Sequence, residues 1–424
     1  MTSPPFDHLS NNLIRQAALS LPFSNIKALC LTSHKFNDAV CKYQIFWYNK
    51  LVHDYGGTIE YSDTLDWKQI YRSRLIGLGS NGYGQLGLGS IFKINELTYV
   101  PTPPFKDIAC GVDYTIIIDI NGNLWGTGKN NTGQLGIDTG QEKIVEYTQL
   151  THDLKFIQVA CGSNHTLALS GDGRIWVTGS NDFDLLRLKQ IDQVKRFTEL
   201  EGYQAKQISC GGHHSAFIDL DGNLYTFGHK TYGRLGRDGD NAIPGKVSIP
   251  GNIPVIQVAC GSDHMACIDD NHDIWAFGRN DYGQLGLVRN KSSQRRHPVK
   301  IRNHKAKYVS CGYKQTAFID LNDNVWIFGK IYDAGLQIFV LQSVPRKITQ
   351  VYHQGQTVDM DFRVKQVYCG FGAISFIDLE NNLWVSGYDN DLDIESEVPI
   401  MLPRIKAYKA AIGGRHMVIM GYSY

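Results

Sequence analysis

Residues 161–179 read CGSNHTLALSGDGRIWVTG. His165 to Leu169 suits a strand, Gly171-Asp172-Gly173 a tight turn, and Arg174 to Thr178 a second strand, so the stretch is a β-hairpin. The same turn chemistry stands at Asn121-Gly122 and Asp221-Gly222. Asn271-His272 and Asn322-Asp323 occupy the equivalent places with residues that tolerate a left-handed backbone.

The hairpin recurs. Cys110, Cys161, Cys210, Cys260, Cys311 and Cys369 are each followed by glycine, at intervals near fifty residues. Fifteen positions after each cysteine comes an aromatic residue: Trp125, Trp176, Tyr225, Trp275, Trp326 and Trp384. Eighteen positions after it comes glycine, and at the ninth position Asp119, Asp219, Asp269, Asp320 and Asp378 stand ready to cap the turn. A period of this length with about four short strands per unit is the mark of a propeller blade. Orphan halves flank the six whole units: Leu75–Gly79 has the form of a second half, and Ala411–Ile419 that of a first half. The expected fold is therefore mainly β. A seven-bladed β-propeller spans 75–424, closed by pairing of the two half-blades so that no edge is left free, behind a small all-α module at 1–74.

With these residues in place, the units resemble regulator-of-chromosome-condensation repeats. The pattern Cys-Gly-x-x-His, Asp-Gly and Trp is followed by a Gly-x-Asn-x-x-Gly-Gln-Leu-Gly tail. That tail is whole in Gly79–Gly87, Gly128–Gly136 and Gly278–Gly286, and in Gly228–Gly236 with Arg234 in place of Gln; it is degenerate after Gly179, Gly329 and Gly387. The resemblance implies the propeller. It does not by itself choose an activity, because one fold hosts many functions; the founding member of the repeat family is a guanine-nucleotide exchange factor.

Ahead of the ring the fifty-residue period disappears. Ser10 can cap a helix carrying Leu13, Ile14, Ala17, Ala18 and Leu21; Pro22 breaks it; Ser24 and Ser33 can open two more. Trp67, Ile70 and Tyr71 suggest a last helix before the ring. This segment resembles an F-box, the module that hangs a substrate receptor on a Skp-type adaptor of a cullin-RING ubiquitin ligase. Leu9, Leu21-Pro22 and Ile26 stand at its motif positions, whereas Ser10, Asn12 and Ala17 depart from it. The resemblance implies an adaptor-binding set of Leu9, Leu13, Ile14, Leu21, Pro22 and Ile26.

The charge balance, 42 Lys+Arg against 41 Asp+Glu, speaks against a chain whose whole surface grips nucleic acid or an anionic membrane. No apolar run approaches the roughly 20 residues of a membrane helix, and MTSPPFDHLS lacks the regions of a secretory signal. The expectation is an intracellular protein, cytoplasmic or nuclear. Nine cysteines without a CxxC pair read as reduced thiols and give no zinc ribbon. His165, His214, His264 and His416 repeat around different blades, which suits structural hydrogen bonds rather than a metal. No catalytic motif and no cofactor motif stands out.

Three stretches break the repeat. Residues 289–307 hold Lys291, Arg295, Arg296, Lys300 and Arg302 among eight cations without an acid, a patch for an acidic partner or phosphates, or else a solvated loop and blunted edge strand. Residues 389–397 are acidic, and the long interval from Cys311 to Cys369 marks an insertion within 350–361. The leading expectation is a non-catalytic substrate receptor of a cullin-RING ligase, its propeller holding an unknown protein target. The alternatives are an exchange factor for a small GTPase and a chromatin-binding scaffold.

Overall fold

The computed structural model describes residues 9–55, 66–182, 193–240, 243–287, 293–333 and 338–423. The chain divides into two compact units: one runs to Ser73 and takes in Pro103–Lys106, and the other holds the rest.

The first unit is helical: α1 (Asn11–Leu19), α2 (Phe23–Thr32), α3 (His34–Phe36), a π-helical turn at Asn37–Cys41, α4 (Gln44–Tyr55) and α5 (Trp67–Arg72). Ser10 caps α1 by accepting from the Leu13 amide, and Ser33 caps α3 by accepting from Phe36. Pro22 precedes α2 as its N-cap, where its missing N–H costs nothing. Ile14, Ala18, Ile26, Phe36, Val40, Trp47 and Leu51 are buried. Around Trp47 lie the rings of Phe46 and Tyr71, at 5.2 and 5.4 Å. Cys30 and Cys41 are paired, with Cα atoms 6.2 Å apart, so the expectation of nine reduced thiols is corrected: the remaining seven are free. No helix among the described residues is long and apolar enough to cross a membrane.

The second unit is the propeller. Each repeat begins with an inner strand ending at the cysteine, as in Phe156–Cys161, followed by His165–Ser170 and Arg174–Ser180 in antiparallel register. The second strand of each repeat is buried along nearly all its length because neighbouring sheets cover both faces; Leu167, Leu169, Ile175 and Val177 pack in one cluster with Ile208, Phe217 and Phe227 of the next repeat. The turn positions adopt the left-handed backbone that their chemistry allows, Gly122 at φ 83°, His272 at 62° and Asp323 at 68°. The repeated aspartate does more than cap the turn. Asp269 accepts from the amides of Asn271 and Asp273, and also from the Trp275 indole at 2.8 Å; the Trp125, Trp326 and Trp384 indoles are held by their own aspartates in the same way.

Among the described residues the strands form five sheets, of nine, seven, four, four and four strands, not seven separate ones. Two long strands cause the mergers. Gln294–Cys311 pairs with Asp273–Arg279 through its first part and with Gln315–Asp320 through its last, so it is the outer strand of one repeat and the inner strand of the next. Ile394–Ile412 does the same between Asn382–Asp389 and His416–Ser423. The first strand, Arg74–Gly79, lies antiparallel to the last, from Arg74 opposite Gly421 to Gly79 opposite His416.

Candidate functional site

The Cys-Gly steps of all repeats converge on the axis and line a cavity of about 140 Å³ together with Val112, Tyr313, Phe371 and Ile412. Glycine is required there because the repeats touch: a Cβ on Gly211 would stand 2.4 Å from the Gly261 carbonyl and 2.3 Å from the His214 ring. Backbone bonds cross the junctions, with Gly212 N–H donating to Gly261, Ser262 to Gly312, Tyr313 to Gly370 and Gly414 to Val112.

The repeated histidines are the side-chain counterpart. His165 bonds the Ser215 hydroxyl at 2.9 Å, His264 bonds Thr316 at 2.8 Å and His416 bonds Thr115 at 3.0 Å, each partner belonging to the following repeat. In the repeat after His214 the equivalent position holds Met265 in place of a hydroxyl, and both His214 ring nitrogens are unpaired. Burial holds His165 and His416 down to about 3 and His264 down to about 4, so all three are neutral. It likewise pushes the Cys110, Cys210 and Cys311 thiols up to about 12, leaving no thiolate at neutral pH. Among the described residues no group of His, Cys, Asp and Glu could hold a metal ion. These groups hold the ring together.

The polar surface lies on the adjoining rim. There the amide after each closing glycine donates to the carbonyl of the second residue after each Cys-Gly (Ile412-Gly413 in the last repeat). This sets residues side by side in each repeat: Ser80 beside Arg415, Lys129 beside Asp113, Ser180 beside Asn164, His229 beside His213, Arg279 beside Asp263, Lys330 beside Lys314, and Tyr388 beside the bare backbone of Gly372. Arg279 also reaches Asp281 and lies 4.5 Å from the Tyr232 ring centre. Lys314 stands 4.4 Å from Tyr282 and 4.7 Å from Tyr313, which stacks on Phe371 with centres 4.6 Å apart. Lys330 stands 3.9 Å from Phe339. Cations and aromatic rings therefore alternate across three repeats towards the mouth of the cavity.

The sequence pattern described as the RCC1-like domain matches residues 74–419. The chain belongs to the RCC1-like domain family. It is 36% identical over 129 residues to the human X-linked retinitis pigmentosa GTPase regulator, covering 29% of this chain and 12% of that protein. It is 27% identical over 289 residues to the Arabidopsis thaliana ultraviolet-B receptor UVR8, covering 64% of each. Against human protein RCC2 it is 30% identical over 169 residues, 38% of this chain and 31% of that one. The chain thus spans less than two thirds of the length of these relatives. Human WBSCR16 superposes with a TM-score of 0.74 at 21% identity, over 83% of this chain and 99% of that one. Saccharomyces cerevisiae Prp20p superposes at 0.72 and 17%, over 86% and 96%. At these identities the two structures establish the fold alone.

On the RCC1-like propeller the basic run is largely spent. Lys300 and Lys305 both bond Asp273, at 2.6 and 2.7 Å, and Lys307 pairs with Asp323. Arg295 donates to the Gln294 carbonyl; Arg296 and Arg302 are exposed; Lys291 lies outside the described residues. The insertion is an exposed hairpin, Gln350–His353 and Gln356–Asp359, turning at Gln354-Gly355 and tied in by Tyr352 opposite Ile400. In the helical unit, Ile14 and Ile26 are fully buried in the described chain, Leu21 is half-buried, and Leu9, Leu13 and Pro22 are exposed. The sequence reading missed the rim pairs altogether, since each joins residues sixteen or more positions apart.

Proposed function

We propose that this chain is a non-catalytic seven-bladed interaction ring that acts on a small GTPase as an exchange factor. The exposed hairpin Gln350–Asp359 carries the reading. It interrupts the repeat, presents His353, Gln354 and Gln356 to solvent, and is anchored by the buried Val351. An exposed hairpin of this kind can enter a nucleotide site and displace the contacts that hold phosphate and Mg²⁺, as exchange requires. Support comes from the relative named as a GTPase regulator and from the solved Prp20p, whose structure is reported with its binding to Gsp1p and histones. The test is release of a fluorescent GDP from a panel of purified small GTPases. Acceleration that disappears when His353, Gln354 and Gln356 are all changed to alanine supports the reading; a well-folded chain that accelerates none of them overturns it.

A second reading concerns the helical unit. Leu9, just ahead of α1, and Leu13, within it, are both exposed, with Leu31 80% exposed, which favours docking on a partner such as a Skp-type adaptor. Co-purification of the full chain with that adaptor, lost in a Leu9→Asp, Leu13→Asp variant, is its test. The paired lysines of the basic run weigh against a chromatin-binding role for residues 289–307.

A further inference from the structure

Lys314 and Lys330 break the charge logic of the rim. Their backbones are bonded, the Lys330 amide to the Lys314 carbonyl at 2.9 Å. The cations at the same position in two other repeats face an acid: Lys129 faces Asp113 at 4.0 Å and Arg279 faces Asp263 at 3.3 Å. Here two lysines stand at these positions, close enough for the Lys314 charge to act on Lys330, and among the described residues neither has a carboxylate partner. Like charges set opposite one another on neighbouring strands destabilise a sheet. Burial and the Lys314 charge both hold the Lys330 ammonium below its usual range. Aromatic rings lie against these amines, and among the described residues no carboxylate pairs with them.

We propose that the Lys314–Lys330 pair is a docking site for an acidic segment of a protein partner, one carboxylate bridging the two ammonium groups and a neighbouring apolar side chain resting against the Tyr313–Phe371 stack. The choice of carboxylate peptide over single-stranded nucleic acid follows from the rings. Base stacking favours free aromatic faces, but here a lysine occupies one face each of Tyr282 and Phe339, and Tyr313 and Phe371 occupy one face of each other. Tyr313 and Phe371 also line the cavity mouth, which places apolar surface next to the charges. The site does not depend on the exchange-factor reading, and no GTPase enters its test.

The probe is a fluorescein-labelled decapeptide of alternating glutamate and leucine, titrated with the full chain and followed by anisotropy. Binding that weakens with salt, drops about tenfold or more in Lys314→Glu and Lys330→Glu, as loss of one charge-assisted contact requires, and persists in Lys300→Glu supports the proposal. Equal binding of the glutamine-for-glutamate peptide, unchanged binding in both variants, or stronger binding of oligothymidylate overturns it. A second readout needs no peptide: Lys330→Gln relieves the repulsion and raises the melting temperature, and the acidic peptide raises that of the wild type but not of the variant. A peptide that stabilises both equally also overturns the site.

Discussion

The Arg234 guanidinium lies 2.7 Å from the Asp263 carboxylate of the following repeat, at the position where the repeats ending in Leu86, Leu135 and Leu285 carry glutamine. In those repeats the glutamine Oε1 accepts from the amide two residues before it, as in Tyr83 to Gln85, Thr132 to Gln134 and Tyr282 to Gln284. Arg234 instead carries a charge into a site where its side chain is 3% exposed, and Asp263, also bonded by Arg279, neutralises it. Asp263→Asn leaves the buried guanidinium uncompensated and should lower stability by about 3 kcal/mol. Arg234→Gln restores the repeat's own residue and should cost less than about 1 kcal/mol. Urea unfolding of both variants checks the order; equal losses would show that the pair is not what holds this junction.

The neutral histidines make the ring acid-sensitive. His165, His264 and His416 sit near 3 to 4 in the folded chain, below the ordinary 6.5. The unfolded chain therefore binds more protons between those values. Their contribution is fully present above pH 6.5 and is lost as pH falls towards 4, by up to about 1.4 kcal/mol per pH unit for each histidine. His264→Gln should flatten this slope by one proton, read as unfolding free energy against pH; an unchanged slope would refute the assignment.

Where repeats touch, small changes are costly. Gly211→Ala drives a Cβ into the next repeat's backbone and its own histidine and should destabilise by about 3 kcal/mol. Gly82→Ala, with nothing within 4 Å, should leave the thermal midpoint nearly unchanged. Similar midpoints for the two would contradict the close-packed axis.

Asp269→Ala removes two turn bonds and the acceptor of a buried indole at once. Its expected cost is about 2 kcal/mol or more, because an ionised acceptor is lost while the Trp275 N–H stays buried. Trp275 fluorescence should shift as its polar partner disappears. An unaltered spectrum and unfolding curve would mean that the aspartate only caps the turn.

Some of this was legible from residue offsets. Aspartate at the ninth position and tryptophan at the fifteenth keep a constant separation, and that was the available signal for the indole bond, although the turn cap alone was read from it. The repeat pattern points to structural histidines, and His165, His264 and His416 each meet a hydroxyl in the following repeat. Other features gave no local signal. The cations of residues 289–307 look free because Asp273 and Asp323, which hold Lys300, Lys305 and Lys307, stand elsewhere in the chain. Helical periodicity put Leu13 and Ile14 in one apolar set, but packing buried Ile14 and left Leu13 outside.

The sequence by itself determined the repeat unit and hence the propeller, because turn chemistry, strand alternation and glycine close to the axis are local demands met at fixed offsets. Only the tertiary structure decided how sheets merge through Gln294–Cys311 and Ile394–Ile412, which charges cancel, and which remain. The Lys314–Lys330 pair is invisible along the chain since sixteen residues separate its members. It exists because antiparallel pairing folds each repeat back on itself, and electrostatics depends on distance in space, where the chain records only order.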